Sequence, residues 1–304
     1  MNREIIDRIQ ALKQEKNAVI LAHYYVNDEV QEIADYIGDS YYLSKLATSL
    51  DEQTIVFCGV SFMGESAKIL NPEKTVLMPD MSADCPMAHM ADIDYIEKLR
   101  SEYEDLAVVC YINSTAELKM HSDVCVTSAN AMKIVKALPN KNIFFIPDEN
   151  LGRYIASQLP DKNFIFNDGY CHVHKNLTAE RIRAAKNSVP DAEVLMHPEC
   201  TPDALALADY IGSTSGIIDY ATESSKTSFI IATEMGVLYE LKQKNPQKKF
   251  YLVGGGNQIC PNMKKISLEK ILHVLETGEN AVEVDETVRT KSNQPLNRML
   301  ELAK

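Results

Sequence analysis

The sequence lacks the features of several broad classes of protein. None of its apolar runs approaches the roughly 20 residues of a membrane-spanning helix, so we expect no membrane partner. The first 17 residues form an amphipathic pattern with charges of both signs and lack the apolar core of a signal peptide, so we expect a cytoplasmic protein. Basic residues are fewer than acidic ones, with 31 Lys and Arg and 43 Asp and Glu. The net charge of −12 disfavours nucleic acid as a partner.

The seven cysteines include no C-x-x-C pair, the spacing that supplies ligands to many structural zinc sites. An odd number of cysteines without a secretion signal is typical of buried thiols or metal ligands rather than disulfides. Cys58, Cys110 and Cys125 lie within apolar stretches, and we expect them to be core residues. Cys200, in HPECTP, is assigned no role.

An internal repeat organises the chain. IADYIGDS at 33–40 returns as LADYIGST at 207–214, and NPEKTVLMP from Asn71 returns as NPQKKFYLV from Asn245, both 174 residues later. A weaker middle copy lies halfway between them. In each copy a glycine opens and a proline closes one helical stretch, at Gly64 and Pro72, Gly152 and Pro160, and Gly236 and Pro246.

Each copy reads as strand, helix, short strand, helix, strand, helix and strand. The strands are almost continuously apolar, which is typical of parallel sheets covered on both faces. We therefore predict an α/β fold of three pseudo-threefold-related, three-layer α/β/α domains, with parallel sheets around a central active site at the carboxyl ends of the strands. The predicted bounds are 1–88 for the first repeat with an N-terminal helix, 89–174 for the second, 175–262 for the third and 263–304 for a C-terminal helical tail.

Cys85, Cys171 and Cys260 each follow the last strand of a copy, 86 and 89 residues apart. They could bind zinc, hold an iron–sulfur cluster, or be residues left over from triplication. Three widely separated thiolates favour a [4Fe–4S] cluster whose fourth iron is open and can act as a Lewis acid. Zinc stays an alternative at this stage.

Polar residues recur at two further positions of the repeat. His23, Tyr111 and His197 end the first strand of each copy, and Ser40, Ser128 and Thr214 begin the helix after the short strand. Hydroxyls at a helix start are ordinary N-caps, but with the backbone N–H groups there they also bind anions. Together with the three cysteines, these six residues predict a site for an anionic substrate beside a cluster that has one open iron. The other histidines have no counterparts and are expected to be structural: His89, His121, His172, His174 and His273.

The motifs HYY at 23–25, DCPM at 84–87, YINS at 111–114, TS-NA at 127–131, G-CHVH at 169–174, MHPEC at 196–200, GSTSG at 212–216, TE-G at 233–236 and GGGN-x-x-CPNM at 254–263 resemble those of quinolinate synthase. The resemblance spans nearly the whole chain. Unlike some relatives, this sequence has no C-x-x-C-x-x-C run near its end and holds only Cys260 there.

The resemblance implies a transferase of de novo NAD biosynthesis that condenses iminosuccinate (iminoaspartate) with dihydroxyacetone phosphate into quinolinate, phosphate and water. It implies one [4Fe–4S] cluster per chain on Cys85, Cys171 and Cys260, with one open iron. It implies transient contact with the aspartate oxidase or dehydrogenase that supplies iminosuccinate. The catalytic positions it implies are Tyr25, Tyr111, His197 and Glu199. The substrate-binding positions are His23, Ser40, Tyr111, Ile112, Asn113, Ser128, His197, Pro198, Glu199, Ser213 and Thr214.

We expect burial to raise the pKa of the Glu199 carboxyl and to make it a general acid–base group, with His197 orienting the substrate. Two other functions fit the same residues. One is an iron–sulfur hydro-lyase acting on a small hydroxy acid, which would need no phosphorylated co-substrate. The other is a non-enzymatic cluster or metal sensor, for which the acidic net charge disfavours a nucleic-acid target.

Overall fold

A computed structural model describes residues 2–304, in which each predicted copy contains one parallel sheet. The first copy follows the N-terminal helix and runs α1 (Asn2–Glu15), β1 (Ala18–His23), α2 (Asp28–Ile33), β2 (Tyr36–Gly38), α3 (Ser40–Ala47), β3 (Thr54–Cys58), α4 (Ser61–Leu70) and β4 (Thr75–Leu77). Its strand order is β2-β1-β3-β4.

The second copy repeats this order of elements. It runs α5 (Ile93–Glu102), β5 (Leu106–Tyr111), α6 (Ala116–Met120), β6 (Val124–Val126), α7 (Ala131–Ala137), β7 (Asn142–Ile146), α8 (Glu149–Gln158) and β8 (Asn163–Phe166). Its strand order, β6-β5-β7-β8, is that of the first sheet.

The third copy begins after two helices, α9 (His172–Lys175) and α10 (Ala179–Ser188). It runs β9 (Glu193–Met196), α11 (Pro202–Leu205), β10 (Tyr210–Ile211), α12 (Thr214–Glu223), β11 (Ser228–Ala232), α13 (Val237–Lys244) and β12 (Lys249–Leu252), in the order β10-β9-β11-β12. The predicted α/β fold with three parallel sheets is therefore confirmed.

The central strands explain why these sequences form sheets covered on both sides. Every residue of β1 and of β5 is buried, so side chains on both faces of the strand pack against helices. Cys58, Cys110 and Cys125 are fully buried in β3, β5 and β6, and their prediction as core residues is confirmed.

By its contacts, the chain divides into two compact units. One takes in the residues through His89 together with Ile112–Cys125 and Pro261–Lys304, and the other comprises Met90–Tyr111 and Val126–Cys260. The predicted domain bounds and the pseudo-threefold arrangement stay predictions.

The predicted C-terminal tail is helical and packs within the first unit. It contains α14 (Leu268–Thr277), which packs on α1, and α15 (Glu286–Leu302), which packs on α4 and α6. Between them, Val282 donates a backbone hydrogen bond of 2.8 Å to Val76 and so covers the edge strand β4. Across residues 2–304, no helix combines the length and apolar character that crossing a membrane would need.

The predicted helix-closing prolines all follow the same backbone turn. The residues before them, Asn71, Leu159 and Asn245, have φ of −132°, −127° and −131° and ψ of 66°, 65° and 63°. A proline disfavours helical geometry in the residue before it, so α4, α8 and α13 end at these points. The glycine prediction is less uniform, because Gly64 and Gly152 lie inside their helices, whereas Gly236 is the N-cap of α13.

A lysine two residues after each proline caps the helix that comes before the third strand of its own repeat. Lys74 Nζ donates to the backbone carbonyls of Ala47, the last residue of α3, and of Leu50, and Lys162 Nζ donates at 2.8 Å to two carbonyls beyond α7. Lys248 Nζ donates to three carbonyls at the end of α12, at 2.6, 2.8 and 3.2 Å. A cation at a helix C-terminus satisfies carbonyls that have no partner in the helix and favourably opposes the helix dipole.

Replacing Lys248 with Met should lower the free energy of unfolding by about 1–2 kcal/mol, because three carbonyls lose a charged donor. Chemical denaturation of the two proteins measures this difference. Lys242→Met, at an exposed position of α13, is the matched control and should change stability by less than about 0.5 kcal/mol. Equal effects of the two substitutions would show that the cap contributes nothing.

Candidate active site

The second unit holds a buried carboxylate where two of its parallel strands end. Tyr111 is the last residue of β5, and Glu199 lies three residues beyond β9. Both are buried, and the Tyr111 hydroxyl donates to Glu199 Oε1 at 2.5 Å. The two residues are far apart in sequence, so the parallel sheets bring together the ends of first strands from the second and third copies.

His174 completes this arrangement, although the sequence predicts it to be structural. Its Nδ1 lies 2.7 Å from Glu199 Oε2 and 3.2 Å from Cys171 Sγ, and its Nε2 lies 2.9 Å from Thr233 Oγ1. An ionised carboxylate only accepts hydrogen bonds, so Nδ1 carries a proton and Nε2 can accept from the Thr233 hydroxyl. The search for triplicated positions missed His174 because it has no counterpart in the other copies. The sequence feature that could have identified His174 is its position three residues after Cys171, because side chains at this spacing lie on the same side of a helical turn.

His197 stacks on His174 and holds the opposite tautomer. The ring centroids are 4.6 Å apart. His197 Nδ1 accepts the backbone N–H of Glu199 at 3.3 Å, so the proton of the neutral ring is on Nε2, which lies 3.2 Å from Ser128 Oγ. The same Nδ1 lies 4.0 Å from Glu199 Oε1. His197 therefore presents an Nε2–H donor beside Ser128.

The same local geometry recurs in the first unit at His23. Its Nδ1 accepts the backbone N–H of Tyr25, two residues on, at 3.1 Å, and the two rings pack edge to face at 4.5 Å. His23 is buried and Tyr25 is half-buried. The neutral His23 ring therefore also carries its proton on Nε2. The predicted equivalence of His23 and His197 extends to their hydrogen-bonding state.

The prediction that burial raises the pKa of Glu199 is wrong in direction. Burial alone would raise it, but attraction to the His174 and His197 rings and hydrogen bonds from His174 and Tyr111 outweigh burial. The pKa of Glu199 therefore lies well below its ordinary value. The neighbouring Asp148 behaves oppositely, since burial and the charge of Glu199 raise its pKa. Glu199 is therefore ionised at neutral pH.

The hydroxyls predicted at helix starts are not the N-caps. The Asp39 side chain caps α3 in place of Ser40, and Ser213 caps α12 in place of Thr214, accepting the N–H of Gly216 at 3.1 Å. Ser213 is itself a predicted substrate-binding residue, and the structure commits its hydroxyl to this cap. Ser40 and Thr214 are therefore the first residues of their helices and not the caps.

The loop around Ser128 contains buried polar atoms without a hydrogen-bond partner. They are Thr127 Oγ1 and Asn130 Nδ2. A buried polar atom that loses its hydrogen bond to water carries a cost unless a ligand or water meets it. In the first unit, Asn113 Oδ1, predicted to bind substrate, is in the same state. Two other predicted contacts, Ile112 and Pro198, are buried.

The triplicated cysteines differ from the others in exposure. Cys85, Cys171 and Cys260 are partly exposed, whereas the remaining four are buried. Cys200 is fully buried, and burial followed by the charges of Glu199 and Asp148 raises its pKa well above the usual value, so it remains a protonated thiol. Thiols that bind a cofactor must present sulfur to it, and the three partly exposed cysteines meet that requirement.

Cys171, His174 and Glu199 also place three potential metal-ligand atoms within 4.8 Å of one another. A mononuclear zinc ion with ligands at about 2.0–2.1 Å in tetrahedral geometry would hold the nitrogen and oxygen about 3.3 Å apart. The observed 2.7 Å between His174 Nδ1 and Glu199 Oε2 is a hydrogen bond. The arrangement therefore fits an acid–base pair beside a partly exposed thiol better than a zinc site.

Comparison with known proteins identifies the family. The sequence model of the family described as "Quinolinate synthetase A protein" matches residues 7–301. A protein named quinolinate synthase from Clostridioides difficile is 54% identical over 303 residues, covering 100% of this chain and 99% of its own length. Proteins of the same name from Fusobacterium nucleatum and Caldicellulosiruptor bescii are 54% and 50% identical, covering 98% and 99% of this chain and 99% and 100% of their own. The predicted family is confirmed, and the chain belongs to the quinolinate synthetase A family.

Proposed function

We propose that the protein is a quinolinate synthase of NAD biosynthesis, which condenses iminosuccinate with dihydroxyacetone phosphate to quinolinate, phosphate and two waters. The observation that carries the proposal is the ionised Glu199 carboxylate, held by Tyr111 and His174 next to the Cys171 thiol. A proton acceptor, two proton donors and a partly exposed thiol therefore lie together, which supports this chemistry. Membership of the family supports the same activity.

We propose that Cys85, Cys171 and Cys260 hold one [4Fe–4S] cluster. Three thiolates leave one iron without a protein ligand, and such a site supplies a Lewis acid that polarises a substrate oxygen. The donor set supports this choice, because the three partly exposed cysteines occupy equivalent positions of the repeat and include no close pair of the kind typical of structural zinc.

Substrate binding is assigned to hydrogen-bond donors at the strand ends and to the loops that follow the short strands. Iminosuccinate carries two carboxylates, which accept hydrogen bonds, and His197 Nε2–H and the Ser128 hydroxyl lie together as donors. Asn130, two residues after Ser128, adds a buried donor without a partner at its Nδ2. His23, Ser40, Asn113 and Thr214 stay predicted contributors.

The chemistry requires several proton transfers at carbon, nitrogen and oxygen. The loss of two waters, one of them in imine formation, needs a proton delivered to each departing oxygen, and ring closure needs protons removed from carbon. Glu199 is ionised and suited to accept a proton, while Tyr111 and His174 Nδ1 already donate to it and can return one. Tyr25 is proposed as a second aromatic hydroxyl for proton transfer.

We place this activity in the cytoplasm, in transient contact with the aspartate oxidase or dehydrogenase that produces iminosuccinate. The acidic net charge supports the absence of a nucleic-acid partner.

Anaerobic purification followed by iron and sulfide analysis tests the cofactor. We expect about four irons and four sulfides per chain, and quinolinate formation only when both substrates are present. Stoichiometric zinc without labile sulfide would refute the cluster. Turnover of a hydroxy acid without the triose phosphate would refute the condensation.

A further inference from the structure

In each repeat, a backbone hydrogen bond joins the cysteine loop to the junction between the third strand and the helix that follows it. In every copy the carbonyl two residues before the cysteine accepts an N–H from this junction: Ala83 from Ser61 at 2.8 Å, Gly169 from Glu149 at 2.8 Å, and Gln258 from Met235 at 2.9 Å. The equivalence of the three loops therefore includes how they are attached.

A carboxylate makes a second connection in the second and third copies. Asp148 lies two residues beyond β7, and its Oδ2 accepts the backbone N–H of Cys171 at 3.2 Å. Glu234 lies two residues beyond β11, and its Oε1 accepts the backbone N–H of Cys260 at 3.0 Å.

The second oxygen of each carboxylate is bound to the helix start. Asp148 Oδ1 accepts the N–H of Leu151 in α8, and Glu234 Oε2 accepts the N–H of Gly236 before α13, both at 2.6 Å. Each carboxylate thus bridges a rigid helix N-terminus and the amide of a proposed cluster ligand.

The first copy builds the same bridge in the reverse direction. No carboxylate follows β3, and Ser61 begins α4 instead. The carboxylate is on the cysteine loop, where Asp84 Oδ1 accepts the Cys85 N–H at 2.8 Å and the Ser61 hydroxyl at 2.5 Å. In all three copies, the backbone N–H of the cysteine therefore donates to a carboxylate, although the carboxylates do not occupy equivalent positions of the repeat.

Two further features tighten the second and third loops. Amide side chains of these loops, Asn167 and Gln258, donate to the carbonyls of Pro147 and Thr233, each one residue past its strand. Gly169 lies so close to the junction that a Cβ there would collide with the Pro147 carbonyl oxygen. The close approach of the cysteine loop is therefore built into its sequence.

The burial of these carboxylates argues against a merely incidental contact. Asp148 is 0% exposed and Glu234 is 1% exposed. Asp148 accepts hydrogen bonds from the backbone N–H groups of Asn150, Leu151 and Cys171. Burying a carboxylate without a cation is unfavourable, and a neutral amide would cap the helix equally well. An amide side chain has only one accepting oxygen, so it cannot accept a hydrogen bond on each of its two terminal atoms as the bridge requires.

We propose that Asp148 and Glu234 are positioning residues that fix the loops of Cys171 and Cys260 for cluster binding. The proposal rests on the proposed function in taking these cysteines as cluster ligands. By occupying the two amide N–H groups, the carboxylates also keep those donors from the cluster sulfurs.

The test uses Asp148→Asn and Glu234→Gln, which keep shape and helix capping but replace one accepting oxygen with a donor. The control is Asp92→Asn, because Asp92 likewise caps a helix, α5, and accepts the Tyr95 N–H at 3.0 Å. Two quantities are measured on anaerobically isolated proteins: amide hydrogen exchange of the two cysteine loops, and the rate of iron release to a chelator. Melting temperatures show that each variant is folded.

In Asp148→Asn, we expect exchange in the Cys171 loop to accelerate about tenfold, as the loss of one hydrogen bond predicts. The Cys260 loop should respond likewise in Glu234→Gln. Iron release should accelerate about 10- to 100-fold, as for other residues that orient metal ligands, and Asp92→Asn should match the parent. Parent-like exchange in both loop variants would overturn the proposal. If the parent protein held no iron, the cofactor assignment would fall, while the exchange measurement would still decide whether the carboxylates fix the loops.

Discussion

Glu199→Gln should lower kcat by about 10²-fold to 10⁴-fold while the protein keeps its full content of iron and sulfide. The amide has the size of the carboxylate but cannot take up a proton, and it cannot accept hydrogen bonds from both Tyr111 and His174 as the carboxylate does. Steady-state kinetics with both substrates, together with iron analysis, measure this effect.

The matched control is Glu193→Gln, a half-buried carboxylate in β9 that accepts the Tyr220 hydroxyl at 3.1 Å. It should leave kcat close to the parent value. A Glu199→Gln enzyme with an unchanged kcat and a raised KM would instead mean that Glu199 only binds substrate.

The lowered pKa of Glu199 sets the pH dependence of this effect. A carboxylate whose folded-state pKa lies below its unfolded value contributes stability above the unfolded pKa, and this is lost only as pH falls through the folded one. Glu199 therefore stays ionised throughout the range from about pH 5 to pH 8, since an ordinary Glu titrates near 4.3. Over that range the Gln substitution should lower the whole kcat profile and remove no acid limb.

Cys171→Ala and Cys260→Ala should each abolish the cluster and reduce activity to background, because a [4Fe–4S] cluster with only two thiolate ligands is not retained. Cys58→Ala and Cys125→Ala should retain iron, sulfide and activity, since both thiols are fully buried in β3 and β6. Their effect should be a modest loss of stability, of about 1 kcal/mol. Iron and sulfide analysis after anaerobic purification, with melting temperatures, separates the two groups.

If Cys125→Ala lost the cluster and Cys171→Ala kept it, the assignment of equivalent cysteines from the repeat would be wrong. The two results cannot be confused with unfolding, because the melting temperature is measured on the same samples.

The repeat made much of the fold predictable. Strand ends such as Tyr111 and His197 lie at fixed intervals, and parallel strands bring their carboxyl ends to one edge of a sheet. The same approach missed His174, because a search for triplicated positions excludes residues that occur once. It also missed the helix-capping Lys74, Lys162 and Lys248, although their spacing follows the repeat.

The pKa of Glu199 and the hydrogen bonds of the site depend on residues that are distant in sequence, so the sequence alone did not predict them. Burial of Glu199 was expected to raise its pKa, but the His174 ring and the Tyr111 hydroxyl, both distant in sequence, reverse the direction. The N-caps differ by one residue from those expected, because Asp39 and Ser213 precede the predicted hydroxyls and reach the N–H groups first. The bridges from Asp148 and Glu234 to the cysteine loops depend on folded geometry in the same way.

The most direct test of the assigned activity follows the carbon atoms of the triose. Anaerobically purified protein is supplied with iminosuccinate and with dihydroxyacetone phosphate labelled with ¹³C at every carbon, and the product is examined by mass spectrometry. Quinolinate contains all four carbons of iminosuccinate and all three of the triose, so the product should be quinolinate carrying the complete triose label, formed together with phosphate. Unlabelled product, or no quinolinate from a protein that retains its cluster, would contradict the account.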